Sequence, residues 1–369
     1  MITYEDVGIT PVINACGKMT LLGASVLDSR VAEAMAAASR HNINMMALED
    51  KAGERIASWT GAEAACVTGG AAAGIAIGAA AFIAGADIAR AQMLPECTWE
   101  KREIIIQSGH LVNFAGMARQ GGARLVPIGW VNYIARDHLA SAITPDTAGF
   151  LYIVSHHTVQ KGMLPLADCI QICHQKDIPV LVDAAAEEDL QKYVAMGADL
   201  VAYSGGKAFG GPSFGFLCGK KDLIQACRVQ EYGIARAMKV TKEGIMGLLA
   251  ALELYTQAGT AERRQHEAEI NQIILDGLKD LPDVRVSLES DEVRYDLLRV
   301  QLQLGGQDPA ASARELIQFL RSGDPPIVTR DHKADMGIIA IDPRGLEKGH
   351  ADVIVRQLQE FFSEVRQSI

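Results

Sequence analysis

The chain of 369 residues carries a formal net charge of -10, with 49% hydrophobic and 22% charged residues. That composition excludes a disordered chain and the length allows more than one core. The acidic excess excludes a general nucleic-acid binder, whose phosphate contacts need clustered lysine and arginine, but leaves room for a local basic patch that takes a small phosphorylated ligand.

The first 45 residues are expected to form an extended arm and a short helix, SRVAEAMAAASRH. They open with acidic residues and have no basic stretch ahead of an apolar run, so no signal peptide is expected. Leucine, isoleucine and tryptophan spaced among charges predict an amphipathic helix over 48–59. Residues 66–86, CVTGGAAAGIAIGAAAFIAGA, are free of charge for long enough to cross a bilayer. Alanine and glycine insert weakly, however, and a Thr-Gly-Gly turn interrupts the run early. A helix packed closely inside a soluble protein is the better account.

Six strands are expected next: REIIIQS, GARLVPIG, GFLYIVS, IPVLVDAA, DLVAYS and SFGFLCG, with helices such as LADCIQICHQKD and DLQKYVAMG between several of them. Short apolar strands alternating with helices predict an α/β chain whose mostly parallel sheet is covered on both faces. After Lys242 the texture changes to two long helical stretches, EGIMGLLAALELYTQA and AERRQHEAEINQIILDGLKDL. VRVSLES and YDLLRVQLQL come next as strands, then the helix AASARELIQFLRSG, the strands PPIVTR and MGIIAID, and a final helix from about Glu347. The expected organisation is an arm over 1–45, a large domain over 46–242, and a linking helix with a smaller α/β domain over 243–369. The seven cysteines, Cys16, Cys66, Cys97, Cys169, Cys173, Cys218 and Cys227, are dispersed and odd in number with no CxxC pair. Free thiols in a reducing cytoplasm are expected rather than a disulfide framework or a cysteine zinc site.

The chemistry concentrates at the strand ends, where ligands bind in open α/β sheets. Asp183 ends IPVLV, and Lys207 comes after the next strand, DLVAYS, inside the glycine-rich run SGGKAFGG. Alone, such an aspartate caps a helix and such a pair forms a structural ion pair. The surrounding Gly205, Gly206, Gly210 and Gly211 instead suggest close backbone approach to a ligand. Pyridoxal 5'-phosphate (PLP) fits both residues: the lysine holds it covalently and the aspartate keeps its ring nitrogen protonated. Its phosphate suits the turn Thr68, Gly69, Gly70 and Ala71 at a helix N-terminus, with a hydroxyl from Ser204. His110, after REIIIQS, is expected to stack on the ring. YIVSHHTVQKG offers Ser155, His156, His157 and Gln160 for hydrogen bonds to cofactor or substrate, with His156 a candidate acid. Two adjacent histidines lack a third ligand at a recognisable spacing, so no metal is expected. Arg330, closing PPIVTR, suits a substrate carboxylate, and Arg236 with Lys239 suits a sugar phosphate.

These stretches resemble a known family. PVINACGKMTLLG, VTGGAAAGI, VDAAAEEDL and YSGGKAFGGPSFG are similar to the branch of fold-type I PLP enzymes, within the aspartate aminotransferase superfamily, that is related to bacterial selenocysteine synthase. The resemblance implies a large PLP-binding domain and a smaller C-terminal one, active sites shared in a homodimer or higher homo-oligomer, Lys207 as the cofactor lysine, Asp183 on the ring nitrogen, His110 in the stacking position and Arg330 on the carboxylate. Within the branch, YIVSHHTVQKG and GIARAMKVTKEGI look most like ammonia-lyases of phosphorylated amino-sugar acids. That implies conversion of 2-amino-2-deoxy-D-gluconate 6-phosphate into 2-dehydro-3-deoxy-6-phosphogluconate and ammonia. The alternatives are PLP chemistry on another β-substituted amino acid, a selenocysteine synthase-like transfer, which the acidic balance disfavours because it needs tRNA, and a non-catalytic scaffold that retains the fold.

Overall fold

The computed structural model describes residues 2–291 and 296–367, with side chains up to residue 363. Met1, 292–295 and 368–369 lie outside, so of the strand expected from Tyr295 only the first residue falls outside, and Leu298–Leu304 of it is formed. Among the described residues twelve strands are formed: β1 (Ile13–Ala15), β2 (Ala64–Thr68), β3 (Glu103–Gln107), β4 (Arg124–Ile128), β5 (Thr147–Ile153), β6 (Val180–Asp183), β7 (Leu200–Ser204), β8 (Gly215–Gly219), β9 (Val284–Ser290), β10 (Leu298–Leu304), β11 (Ile327–Thr329) and β12 (Ile338–Ile341). The chain divides into two compact units, residues 27–257, and the residues before Leu27 together with those from Ala258 onward.

The larger unit is built on a seven-stranded sheet in the order β2-β8-β7-β6-β5-β3-β4. All neighbours are parallel except β8, which runs antiparallel to both β7 and β2. Side chains alternate between the two faces. Ile105, Phe150, Tyr152, Val182 and Tyr203 join one buried cluster, while Ile104, Ile106, Leu151, Leu181 and Ala202 join the other. Both faces are therefore dry, as a largely parallel sheet requires.

The helix Ala71–Ala84 covers the second face and explains the uncharged stretch. A Cβ on Gly74 would lie 3.3 Å from the Ala202 Cβ, and one on Gly78 would lie 3.0 Å from Leu181. The helix thus lies close against β6 and β7, and its small residues set that spacing. Among the described residues no helix is long and apolar enough to cross a membrane.

The strand β2 was not expected. AACVT is separated from the apolar helix only by the Gly69-Gly70 turn, and with no charge in either segment it reads as part of the same uncharged run. The domain limits also differ from those expected at 45/46 and 242/243. Helix Ser29–Ser39 packs within the larger unit against helix Lys242–Gln257. There Gly247 faces Met35, whose Cγ would be 2.6 Å from an added Cβ, and the Lys242 Nζ donates to the Ser39 carbonyl at 3.4 Å. The expected helix DLQKYVAMG shortens to Lys192–Ala195.

In the smaller unit, β9, β10 and β12 form an antiparallel sheet in the order β12-β10-β9, packed with helices Thr260–Leu278, Pro309–Ser322 and Lys348–Gln367 around one core. β11 leaves that sheet and pairs in parallel with β1 of the arm.

Candidate active site

The sheet register lines up the strand ends that carry chemistry. Ile153, Asp183 and Ala202 are opposite one another on β5, β6 and β7. Thr68 and Ser204 lie on either side of Gly215, across β2, β8 and β7. The carboxyl ends of β2, β5, β6 and β7 therefore share one edge, where an open α/β sheet takes its ligands.

Asp183 closes β6 and is almost wholly buried. One carboxylate oxygen accepts the Ala185 backbone N–H at 3.0 Å. Burial pushes its pKa up to about 6, against the Ala185 hydrogen bond and the Lys207 charge, which pull it down. A buried carboxylate held this reluctantly is suited to a cationic partner. Lys207 sits in the turn after β7, half-buried, with its Nζ 6.0 Å from the centre of the Phe114 ring. Phe114 in turn lies 5.9 Å from His157, and the His156 and His157 ring centres are 3.9 Å apart. Lys207, Phe114 and this histidine pair form one cluster.

The glycines around Lys207 serve their own loop. An added Cβ on Gly205 would meet the Leu248 side chain at 2.5 Å and the Phe214 carbonyl at 3.0 Å, and one on Gly206 would meet the Pro212 carbonyl at 3.3 Å. The close approach expected toward a ligand is thus toward the loop's own backbone, which folds over itself to fix the lysine. Gly210 has a φ of +64° with open space around it, so it supplies a turn conformation rather than clearance.

The turn before helix Ala71–Ala84 is the candidate phosphate site. The Thr68 Oγ1 donates to the Gly70 carbonyl at 2.9 Å. Gly70, with a φ of +121°, is the N-cap and offers no side chain to the helix N–H groups. The first backbone N–H groups are left for an anion, with the helix dipole behind them. Gly215 holds the cradle from below the turn. A Cβ there would press on the Tyr203 carbonyl oxygen and lie 2.9 Å from the Ala71 nitrogen. Gly215→Ala is expected to destabilise the protein by about 1–3 kcal/mol through overpacking against backbone and to weaken PLP binding. Denaturant unfolding with and without added PLP checks both effects.

Thr68 also lines a cavity of about 510 Å³ together with Met45, Glu49, Arg228, Arg236 and Lys239. Arg228 is committed to Glu49 at 3.5 Å, to Glu231 at 3.9 Å and to Asp50, and Lys242 to Glu243. Burial, and then Glu231 beside it, pushes Glu49 up to about 7. Arg236 and Lys239 are the exposed cations of this wall that have no carboxylate partner among the described residues.

His110 is fully buried, so as placed neither face of its ring is open to a ligand. Its Nδ1 accepts the Ile153 N–H at 3.3 Å, and its ring meets Tyr152 edge-on at 4.6 Å. Burial alone pushes its pKa down to about 4, which keeps it neutral near pH 7. With Nδ1 accepting, Nε2 carries the hydrogen, and it has no hydrogen-bond partner. The aromatic ring next to Lys207 is Phe114, which no local signal in QSGHLVNFAG singles out. Ser155 and Gln160 brace the turn after β5: the Ser155 Oγ accepts the His157 N–H at 3.2 Å, and the Gln160 Nε2 donates to Thr158 at 2.5 Å and to the Ile153 carbonyl at 3.4 Å.

In the smaller unit Arg330 comes directly after β11 and pairs through its backbone with Ala340 at 2.9 and 3.0 Å. Its guanidinium is half-buried and donates to the Cys16 carbonyl at 3.4 Å. Burial, then the neighbouring Arg299, pulls its pKa below the ordinary arginine value. It has no carboxylate partner among the described residues.

The residues fit PLP on the structure's own terms. An uncapped helix start offers N–H groups to a phosphate, a buried carboxylate is suited to a ring nitrogen that carries a proton, and a lysine lies in the turn after the next strand. Together with the sheet order, these features define the fold-type I architecture of PLP-dependent enzymes. Residues 12–275 match the family model described as SelA, L-seryl-tRNA selenium transferase, and the chain belongs to that family. It is 39% identical over 361 residues to the D-glucosaminate-6-phosphate ammonia lyase of Salmonella typhimurium (strain 14028s / SGSC 2262), with 97% of each chain covered. It is 40% identical over 366 residues to the 5'-C-glycyluridine monooxygenase-decarboxylase of a Streptomyces species, covering 97% of this chain and 91% of that one. A solved structure of D-glucosaminate-6-phosphate ammonia-lyase superposes with a TM-score of 0.88 at 38% identity, with 98% of each chain covered.

Proposed function

We propose that the protein is a PLP-dependent ammonia-lyase that converts D-glucosaminate 6-phosphate (2-amino-2-deoxy-D-gluconate 6-phosphate) into 2-dehydro-3-deoxy-6-phosphogluconate and ammonia. The observation that carries the reading is the cavity beside the phosphate turn, where Arg236 and Lys239 have no carboxylate partner among the described residues in a chain of net charge -10. Two cations left uncompensated in an acidic protein favour an anionic ligand group there. The match to the ammonia-lyase structure over 98% of both chains supports the same substrate. The glycyluridine enzyme is as close in sequence, but 5'-C-glycyluridine carries no phosphate to occupy this wall.

PLP, when bound, supplies an electron sink for the charge that develops at the substrate Cα. The chain's residues do the rest. Thr68, Gly69, Gly70, Ala71 and Ser204 hold the cofactor phosphate. Asp183 keeps a proton on the ring nitrogen, Phe114 takes the ring-covering place expected of His110, and Ser155 lines that side. Lys207 would hold the cofactor covalently, and its amine, when free, would take the Cα proton. His156 or Lys207 delivers a proton to the C3 hydroxyl, which leaves as water. A second water replaces the nitrogen at C2, so the net products are the 2-oxo acid and ammonia. Arg330 fixes the substrate carboxylate, Arg236 and Lys239 hold its phosphate, and His157 and Gln160 shape the wall between.

The substrate's phosphate is the handle for a test. Arg236→Gln and Lys239→Gln are each expected to raise KM for D-glucosaminate 6-phosphate about tenfold, by loss of a charge-assisted contact, while changing little for unphosphorylated D-glucosaminate. Equal losses on both compounds would count against a phosphate site. A homodimer or higher homo-oligomer in the cytoplasm completes the proposal. Leu21 and Val26, 92% and 95% exposed, support a covering partner copy, and seven free cysteines support a reducing compartment.

A further inference from the structure

Arg330 is surrounded by charge that it does not pair with. Asp342, two residues beyond its backbone partner Ala340, is completely buried, and its charge is felt at Arg330. Yet the carboxylate is occupied elsewhere. Its Oδ2 accepts from the Arg299 Nε at 2.7 Å and the Arg344 Nη2 at 2.8 Å, and its Oδ1 accepts from the Arg344 Nε at 2.9 Å and backbone N–H at 3.1 Å. Four donors match the capacity of an ionised carboxylate. Burial opposes that ionisation, but Arg344 and Arg299 hold the group well below the usual carboxylate range. Arg299 is itself anchored at its other end by the Asp291 carboxylate at 2.7 Å.

The arm closes over this cluster. Asp342 donates its backbone N–H to the Ala15 carbonyl at 2.9 Å. Gly17, with a φ of +88°, leaves out a Cβ that would lie 2.7 Å from the Asp342 Oδ2 and 3.2 Å from the Arg344 Nη2. Arg299 and Arg344 thus take up Asp342 between them, and Arg299 also pairs with Asp291. Arg330 is the one guanidinium of the three without a carboxylate contact among the described residues.

We infer that Arg344 and Arg299 are positioning residues that saturate Asp342, so that Arg330 is kept for the carboxylate of the substrate. This rests on the reading of Arg330 as the carboxylate-binding group. A buried acceptor that loses a donor must find another, and Arg330 is a cation already within reach of its field. Captured by Asp342, Arg330 would offer an incoming carboxylate a neutralised site.

The test measures non-covalent binding to the PLP-loaded protein by calorimetry, with two probes that lack the amine: D-gluconate 6-phosphate, which has the carboxylate, and D-glucitol 6-phosphate, which does not. Arg344→Gln is expected to weaken the first about tenfold and leave the second unchanged. Adding Asp342→Asn, which removes the competing charge, is expected to restore it. A merely structural role would weaken both probes together, and Asp342→Asn would then restore nothing; either result overturns the inference. Should Arg344→Gln fail to fold, Gly17→Ala presses on the same carboxylate and is expected to give the same selective loss. Arg330→Gln separates the two levels. If it leaves D-gluconate 6-phosphate binding intact, the carboxylate reading itself fails. If it weakens binding while Arg344→Gln does not, the saturation inference alone fails.

Discussion

Lys207→Ala is expected to lose at least about 10,000-fold in turnover, since both covalent attachment of the cofactor and proton transfer at Cα depend on one amine. The variant should fold. Lys207 is half-buried, in a loop where Gly205 and Gly206 lie close against the Phe214 and Pro212 carbonyls. PLP should still bind through its phosphate cradle, but reversibly, without the visible absorbance of a lysine-bound cofactor, and dialysis should remove it. Spectra before and after dialysis, with ammonia release on the same samples, check the pair of effects. A variant that kept both the absorbance and the turnover would place the cofactor on another lysine.

The second large effect belongs to Asp183. Asp183→Asn preserves the shape of the β6 end but removes the charge proposed to face the ring nitrogen, and kcat is expected to fall about 100- to 1,000-fold, the usual cost of losing one preorganised electrostatic group. It also has a pH signature. In the cofactor-free chain burial pushes Asp183 up to about 6, above its value in an unfolded chain. A group raised in this way favours the folded state while protonated. Its contribution is present below the unfolded value near 4 and is lost as pH rises through about 6, on the order of 2–3 kcal/mol. The cofactor-free protein should therefore lose stability across that window relative to Asp183→Asn. PLP loading should cancel much of the loss, because a protonated ring nitrogen compensates the buried charge. Urea unfolding of both proteins from pH 4 to 7, with and without PLP, measures the difference. Parallel curves for the two proteins would mean that the carboxylate is not held against its preference.

The strands β3 to β8 were legible because each is a short apolar run bounded by polar or glycine residues, and Asp183 and Lys207 stood out at the ends of two of them. What was not legible depended on direction and on distant partners. Periodicity does not say which way a strand runs, so nothing marked SFGFLCG as the antiparallel member between β2 and β7. Helix Ser29–Ser39 belongs with a helix more than 200 positions away, a pairing that shows only in tertiary contacts such as Gly247 against Met35. Phe114 is a single aromatic in a loop and gained meaning only beside Lys207. His110 had the right sequence position for stacking, but the fold buries it against Tyr152. The glycines of SGGKAFGG looked like clearance for a ligand because close approach to a neighbouring carbonyl leaves the same mark in a sequence. Arg330 was visible as a strand-end arginine, whereas the sharing of Asp342 between Arg299 and Arg344 is a tertiary fact with no local signal.

The most direct test of the central claim is to give the PLP-loaded protein D-glucosaminate 6-phosphate and to follow ammonia, 2-oxo acid and dissolved oxygen together. The account predicts ammonia and 2-dehydro-3-deoxy-6-phosphogluconate in equal amounts, at the same rate in air and under nitrogen. No product, or a reaction that consumes oxygen and releases carbon dioxide, would contradict it and point to the chemistry named for the Streptomyces relative instead.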